Sequence, residues 1–192
     1  VGVEMVEIGH SERRHVLHET DEEENQKVGC ALRHGLRPLL CIGETRGQKE
    51  QNIADETLRI QLKIGLMGVT PEEAQRLLIA YEPVWAIGVQ GVPAPAPYVQ
   101  ARHQMIRQTL TELFGVQGAD IPLLYGGSVH PGNARELILL QGLPSEYDIP
   151  LQVLRVNDLG IAGLHGEVFV EIGLDVKARS PFRQTMVVGL AN

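Results

Sequence analysis

The sequence predicts a parallel α/β sheet or barrel, on three observations. Short apolar runs alternate with segments of helical period. The runs are continuously apolar rather than alternating. Clusters of polar residues and glycines come directly after several of them. Continuous apolar runs mark strands buried on both faces, and strand–helix alternation over this length builds parallel units.

Met5-Val6-Glu7-Ile8 reads as the first strand, and Ser11 opens a helical stretch. The next helix is expected from about Asp21 to His34, stopped by Gly35, with Pro38 just beyond. Leu39-Leu40-Cys41-Ile42 is the second strand. A long helix comes next, with Ile53, Thr57, Ile60, Ile64 and Met67 expected on its apolar face. Thr70-Pro71-Glu72-Glu73 is a helix start: a Thr cap, Pro at the first helical position and Glu three residues after the cap. Leu77 to Tyr81 is a strand; Val99, Ile106, Leu110 and Leu113 mark a helix; Ile121 to Tyr125 is a strand; Asn133 to Leu140 is a helix. Val92 to Pro97 is a stiff proline-rich connection.

The chain has 192 residues, 43% hydrophobic and 21% charged, enough for one domain with a sizeable core. A formal net charge of −7 with no long basic block argues against nucleic acid or an anionic membrane as partner. No apolar run reaches the about 18 residues of a transmembrane helix, and no signal peptide is visible. Cys30 and Cys41 lie in apolar runs and are expected as buried free thiols in a reducing, cytoplasmic compartment. The chain opens on Val1 rather than Met, as a fragment or processed product does.

Three clusters sit where strands end, the position of reactive groups in a parallel barrel. Glu82 ends an apolar strand and precedes Pro83. It reads as a general base in a partly dry pocket, or as a strand-end carboxylate facing water. The next loop, Pro83 to Gly88, is apolar and holds the single Trp. Such a loop reads as a lid over a small substrate, or as a segment packed permanently on the core. His10 comes after a strand and Gly9 and precedes a helix start. There imidazolium is disfavoured, and a neutral ring can donate to a carbonyl oxygen, although a lone His is often structural. Gly126-Gly127-Ser128 offers N–H groups for a phosphate, or is an ordinary turn.

Four stretches taken together resemble the triosephosphate isomerase family: Glu7 to Arg14 (EIGHSERR), Cys41 to Glu44 (CIGE), Ala80 to Gly88 (AYEPVWAIG) and Tyr125 to Val129 (YGGSV). The likeness runs from about residue 3 to Leu140. It implies a (β/α)8 barrel, incomplete here, with strands 4 to 8 and their helices. It also implies one partial domain over 1–192 with an insertion at about 143–156. The implied reaction interconverts dihydroxyacetone phosphate and glyceraldehyde 3-phosphate through an enediolate. Glu82 would move the proton, His10 would stabilise the enediolate oxygens, and Glu12 would organise the site from behind. Gly88 and Ser128 would hold the phosphate through backbone N–H groups, with Gly163 as a further phosphate contact. Cys41 would pack beside the base. The resemblance implies no metal and no cofactor, a small phosphorylated substrate, a role in glycolysis and gluconeogenesis, and a homodimer when full length.

The sequence also departs from the family. A full barrel takes about 250 residues, and the likeness places the first three strands, with an Asn-x-Lys substrate motif, ahead of Val1. Asn25-Gln26-Lys27 fits that motif by letter but lies in a helical stretch. The lid continues as Val89 to Ala94 where the family has Thr-Gly-Lys. That pattern is similar to relatives that isomerise four-carbon ketose phosphates such as erythrulose phosphate. Ala162 stands where the family's last strand has the first Gly of a pair, and Ala takes positive φ less readily. A non-catalytic fragment or pseudo-enzyme lacking the substrate-binding Lys is the third reading.

Overall fold

Four strands, β1 (Met5–Ile8), β2 (Arg37–Ile42), β3 (Leu78–Tyr81) and β4 (Leu123–Tyr125), form a parallel sheet in chain order. The structure is a computed structural model that describes residues 2–88, 91–129, 133, 137, 152–156, 159–163, 178, 179, 181 and 184–188. The chain divides into two compact units, Val1–Leu143 and Pro144–Asn192.

Helices fill every crossover of the first unit. α1 (Ser11–His15) and α2 (Asp21–Arg33) join β1 to β2. α3 (Arg46–Glu50), α4 (Ala54–Gly65) and α5 (Pro71–Ala74) join β2 to β3. A 3₁₀ turn at Val84–Ala86, then α6 (Ala96–Phe114) and α7 (Val116–Asp120), join β3 to β4. Strands that neighbour one another in chain order never reverse direction across the sheet. That winding belongs to a barrel, not to a doubly wound sheet. The first unit is therefore part of an α/β barrel wall.

Local chemistry sets the helix starts. Thr20, Thr45 and Thr70 each accept from the backbone N–H three residues on, and Glu23, Gln48 and Glu73 each reach back to the cap's N–H. Each box satisfies two donors that helix geometry leaves unpaired. Gly35, at φ +81°, ends the turn after α2 where a side chain would be strained. Between sheet and helices lies a core that includes Leu40, Leu58, Leu62, Ile79, Ile106 and Leu110. All four residues of β3 are buried, as a strand covered on both faces requires.

Two expectations need correction. The buried face of α4 is Ala54, Leu58, Gln61, Leu62 and Gly65, not the stripe through Ile60 and Met67. Ile53, Ile60 and Met67 are exposed. Small residues decide the facing: a Cβ on Gly65 would lie 3.0 Å from Leu40 Cδ2, so the helix meets β2 closely on that side. Cys30 is exposed while Cys41 is buried. On α2 the inward positions are Glu24, Val28, Ala31 and Leu32, and Cys30 falls on the opposite arc. Asn25 and Lys27 are helical residues with structural partners. Asn25 Nδ2 donates to Gly65 O and Met67 O, and Lys27 pairs with Glu19. The letter match to a substrate motif is accidental.

In the second unit, β5 (Gln152–Val156) pairs antiparallel with β6 (Leu159–Gly163), which pairs parallel with β7 (Gln184–Val188). Gly163 closes β6 opposite Gln152 and Val188. The stretch expected as an insertion thus contributes β5, and the rest of it lies outside the described residues. Of the helix expected from Asn133 to Leu140, Asn133 and Leu137 are described, and both are helical.

The corrected face of α4 is testable by denaturant unfolding. Leu62→Ala should cost about 2–5 kcal/mol, the usual range for a fully buried Leu. Ile60→Ala should change stability by less than about 0.5 kcal/mol.

Candidate active site

The parallel register brings the C-terminal ends of the four strands side by side. Ile8 pairs with Leu40, Ile42 with Tyr81, and Tyr81 with Tyr125. Residues just past those ends therefore share one rim: Gly9 and His10, Gly43 and Glu44, Glu82, and Gly126.

Glu82 is gripped by backbone. Its N–H donates to Ile42 O at 2.7 Å. A Cβ on Gly43 would sit 1.8 Å from Glu82 O, and one on Gly126 would sit 2.6 Å from Glu82 Cγ. Glycine at both places lets the neighbouring strands close on this residue. The residue is 8% exposed, and its Oε2 has no hydrogen-bond partner among the described residues. Burial pushes the Glu82 carboxyl above the ordinary carboxylate value. Glu7 adds to the rise, while His10, the Ser11 N–H and the Cys41 thiol oppose it. An under-partnered carboxylate out of water is a strong base.

His10 caps α1. Its Nδ1 accepts from the Glu12 N–H at 3.4 Å. An imidazole that accepts at Nδ1 carries its proton on Nε2, where it can donate to a ligand oxygen. Arg14 fixes the loop that holds His10. Its Nε donates to Gly9 O at 2.8 Å, a second guanidinium nitrogen donates to Cys41 O at 3.1 Å, and it pairs with Asp21. Gly9, at φ +80°, makes room for that guanidinium: a Cβ would lie 2.8 Å from it.

Glu44 stands in the sequence only as one letter of a motif, yet it organises the loop after Glu82. It is fully buried. Its carboxylate accepts from Tyr81 Oη at 3.1 Å, Trp85 Nε1 at 2.8 Å and Tyr98 Oη at 3.0 Å. Lys49 Nζ lies 3.4 Å from the centre of the Trp85 ring, a close cation–π contact. The Trp85 loop is thus latched through a polar network on its own aromatic residue. A Glu at a strand end with Tyr and Trp donors downstream is the sequence signal for such a network.

The phosphate candidates differ. The Ser128 N–H and Oγ both donate to Ala86 O, at 2.9 and 2.7 Å. The turn after β4 is therefore tied to the Trp85 loop in this conformation, and a ligand would have to displace Ala86 O to use that N–H. Gly88, at φ +79°, is exposed, and its N–H makes no hydrogen bond among the described residues. Glu12 is exposed, and its backbone N–H serves His10. Gly163 belongs to the second unit, which is described by itself.

Among the described residues, one trio, Glu7, Cys41 and Glu82, brings potential metal-ligand atoms within 4.8 Å of one another. Burial drives the Cys41 thiol far above its ordinary range. It stays protonated, which disfavours it as a metal ligand.

A buried carboxylate, a backbone-capped imidazole and a glycine-rich turn share one barrel rim, an arrangement able to take up and to donate protons. The family profile described as Triosephosphate isomerase matches residues 1–143, and the chain belongs to that family. It is 49% identical over 137 residues to L-erythrulose-1-phosphate isomerase of Rhizobium etli, covering 71% of this chain and 50% of that protein. It is 49% identical over 139 residues to triosephosphate isomerase of Carboxydothermus hydrogenoformans, covering 72% and 55%. With triosephosphate isomerase of Treponema denticola it shares 41% identity over 175 residues, covering 91% and 65%. The chain spans about half the length of the first of these curated relatives.

Glu44→Ala would leave three donors without their acceptor, two of them, Tyr81 and Trp85, buried. Unfolding should become easier by about 1–3 kcal/mol. The fluorescence of the single Trp should shift to the red as water reaches Trp85. An unshifted spectrum would show that Glu44 does not hold this loop.

Proposed function

We propose that the whole protein interconverts an aldose phosphate and a ketose phosphate by proton transfer between adjacent carbons, with triose phosphates as the substrate pair. The observation that carries this reading is Glu82: buried, with Oε2 unpartnered among the described residues, on the rim that also holds His10. Glu82 would take the proton from the carbon beside the carbonyl and return it to the neighbouring carbon. His10 Nε2–H would hydrogen-bond the oxygens as charge develops on them. That pairing of a Glu base with a neutral His is the family's established chemistry. Gly88 N–H and, once freed from Ala86 O, Ser128 N–H would hold the phosphate, while the Trp85 loop shuts out water. Glu12 would serve through its backbone bond to His10.

A second reading keeps the chemistry and changes the substrate to a tetrulose phosphate such as erythrulose phosphate. Two observations favour it: the lid sequence Val89 to Ala94, and relatives of Rhizobium etli and Rhizobium meliloti named L-erythrulose-1-phosphate isomerase, at 49% and 48% identity. Assay of the full-length protein with both substrates separates the two. Dominant turnover of the four-carbon substrate would sink the triose reading. A folded protein that turns over neither would support a non-catalytic role. A cytoplasmic homodimer is proposed from the family resemblance alone.

Glu82→Asp should reduce kcat about a hundredfold, because the carboxylate retreats by roughly 1 Å from the substrate carbon. Stability should change little. The pH profile has a defined sign. Glu82 must be ionised to act, and its pKa is raised. The acid limb of kcat/KM should therefore lie above the ordinary carboxylate range, with activity lost as pH falls through it. A limb at the ordinary Glu value would contradict the burial argument.

A further inference from the structure

Glu7 lies on β1, three residues before His10, and has no role in the proposed proton transfer. The Cys41 thiol donates to Glu7 Oε1 over 3.5 Å, within the reach of a sulfur donor. Polar atoms of Glu7, Cys41 and Glu82 all lie within 4.8 Å of one another, so the thiol is close to both carboxylates. A thiol has one proton and serves one acceptor at a time. Here it is bonded to Glu7 more strongly than to Glu82, and Glu82 Oε2 is left unpartnered among the described residues.

We propose that Glu7 is a positioning residue for Glu82: it draws the Cys41 S–H toward itself, which weakens the thiol's hold on Glu82 and leaves Glu82 Oε2 to the substrate. The inference rests on Glu82 being the base. Its logic is that of a carboxylate pair in which one member is spent on local structure and the other stays free for chemistry.

The groups facing Glu82 come from each packed element. β1 supplies Glu7, the start of α1 supplies His10 and the Ser11 N–H, and β2 supplies Cys41. β4 is continued by the Gly126 backbone, which closes the far side. Arg14 stands behind, bound to the carbonyls of Gly9 and Cys41. Burial and Glu7 favour a protonated Glu82, while His10, the Ser11 N–H and the thiol favour the ionised form. Replacing Glu7 by Gln removes a neighbouring negative charge and releases the thiol toward Glu82. Both changes make Glu82 a weaker base.

The test is a carbon-13 NMR titration of the Glu82 carboxyl in the full chain, with kinetics on the two sugar phosphates alongside. Glu7→Gln should lower the Glu82 midpoint by about one pH unit and kcat by roughly threefold, the response to a weaker base, with KM nearly unchanged. Glu7→Asp, which keeps the charge, should titrate like the wild type. In a Cys41→Ala background the shift caused by Glu7→Gln should shrink by half or more, the non-additivity of a shared partner. An unmoved midpoint in Glu7→Gln, or an equal shift with and without Cys41, would overturn the proposal. The titration needs no turnover. A wild type inactive on both substrates would therefore sink the isomerase reading while Glu7 is still judged by the midpoint.

Discussion

Glu82 is a carboxyl group forced out of water by backbone on both sides, and the site depends on that constraint. Gly43 and Gly126 are close enough that a methyl group at either would collide with it. Its own N–H is bound to Ile42 O, so the strand ladder runs through the residue without slack. A solvated strand-end carboxylate would be free to turn and would titrate normally. This one is fixed and carries a raised pKa whose largest cause is burial. Among the described glycines the closest approach, that of Gly43 to Glu82 O, falls at the rim, where a proposed base needs precise placement.

A second latch holds the loop that leaves Glu82. Glu44 collects donors from Tyr81, Trp85 and Tyr98, which lie on β3, the loop after it and α6. Ala86 O collects both donors of Ser128. The loop that begins one residue after Glu82 is thus held by a buried carboxylate at Trp85 and by the turn beyond β4 at Ala86. A ligand that takes the Ser128 N–H would have to release its bond to Ala86 O, so the proposed phosphate contact would be coupled to the position of this loop.

Much of the first unit is legible in the sequence because its signals are local. Continuous apolar runs mark β2 to β4, an apolar run broken by Glu7 marks β1, and Thr-Pro-Glu-Glu marks the start of α5. Glu82 stands out as a carboxylate where a buried strand should end. Facing and partnership are not local and cannot be read the same way. The helical stripe through Ile60 and Met67 is real as a pattern, but the tight seat of Gly65 on Leu40 turns α4 the other way. Cys30 sits in an apolar run yet on the outer arc of α2. Glu44 and Arg14 act through residues tens of positions distant, and Glu7 acts through Cys41 on the adjacent strand. Local spacing carries none of those contacts. Gly163 rests on a short Gly-containing match, and its strand pairs with β5 and β7 in a unit outside the family match.

The central claim is that Glu82 moves a carbon-bound proton. Its most direct test is exchange of substrate hydrogen with solvent, followed by proton NMR of dihydroxyacetone phosphate and of erythrulose phosphate in deuterium oxide. The full-length wild-type protein should incorporate deuterium at the carbon beside the carbonyl of the substrate it turns over, and Glu82→Gln should abolish the exchange while leaving the fold intact. Exchange by the Glu82→Gln protein at the wild-type rate would contradict the claim.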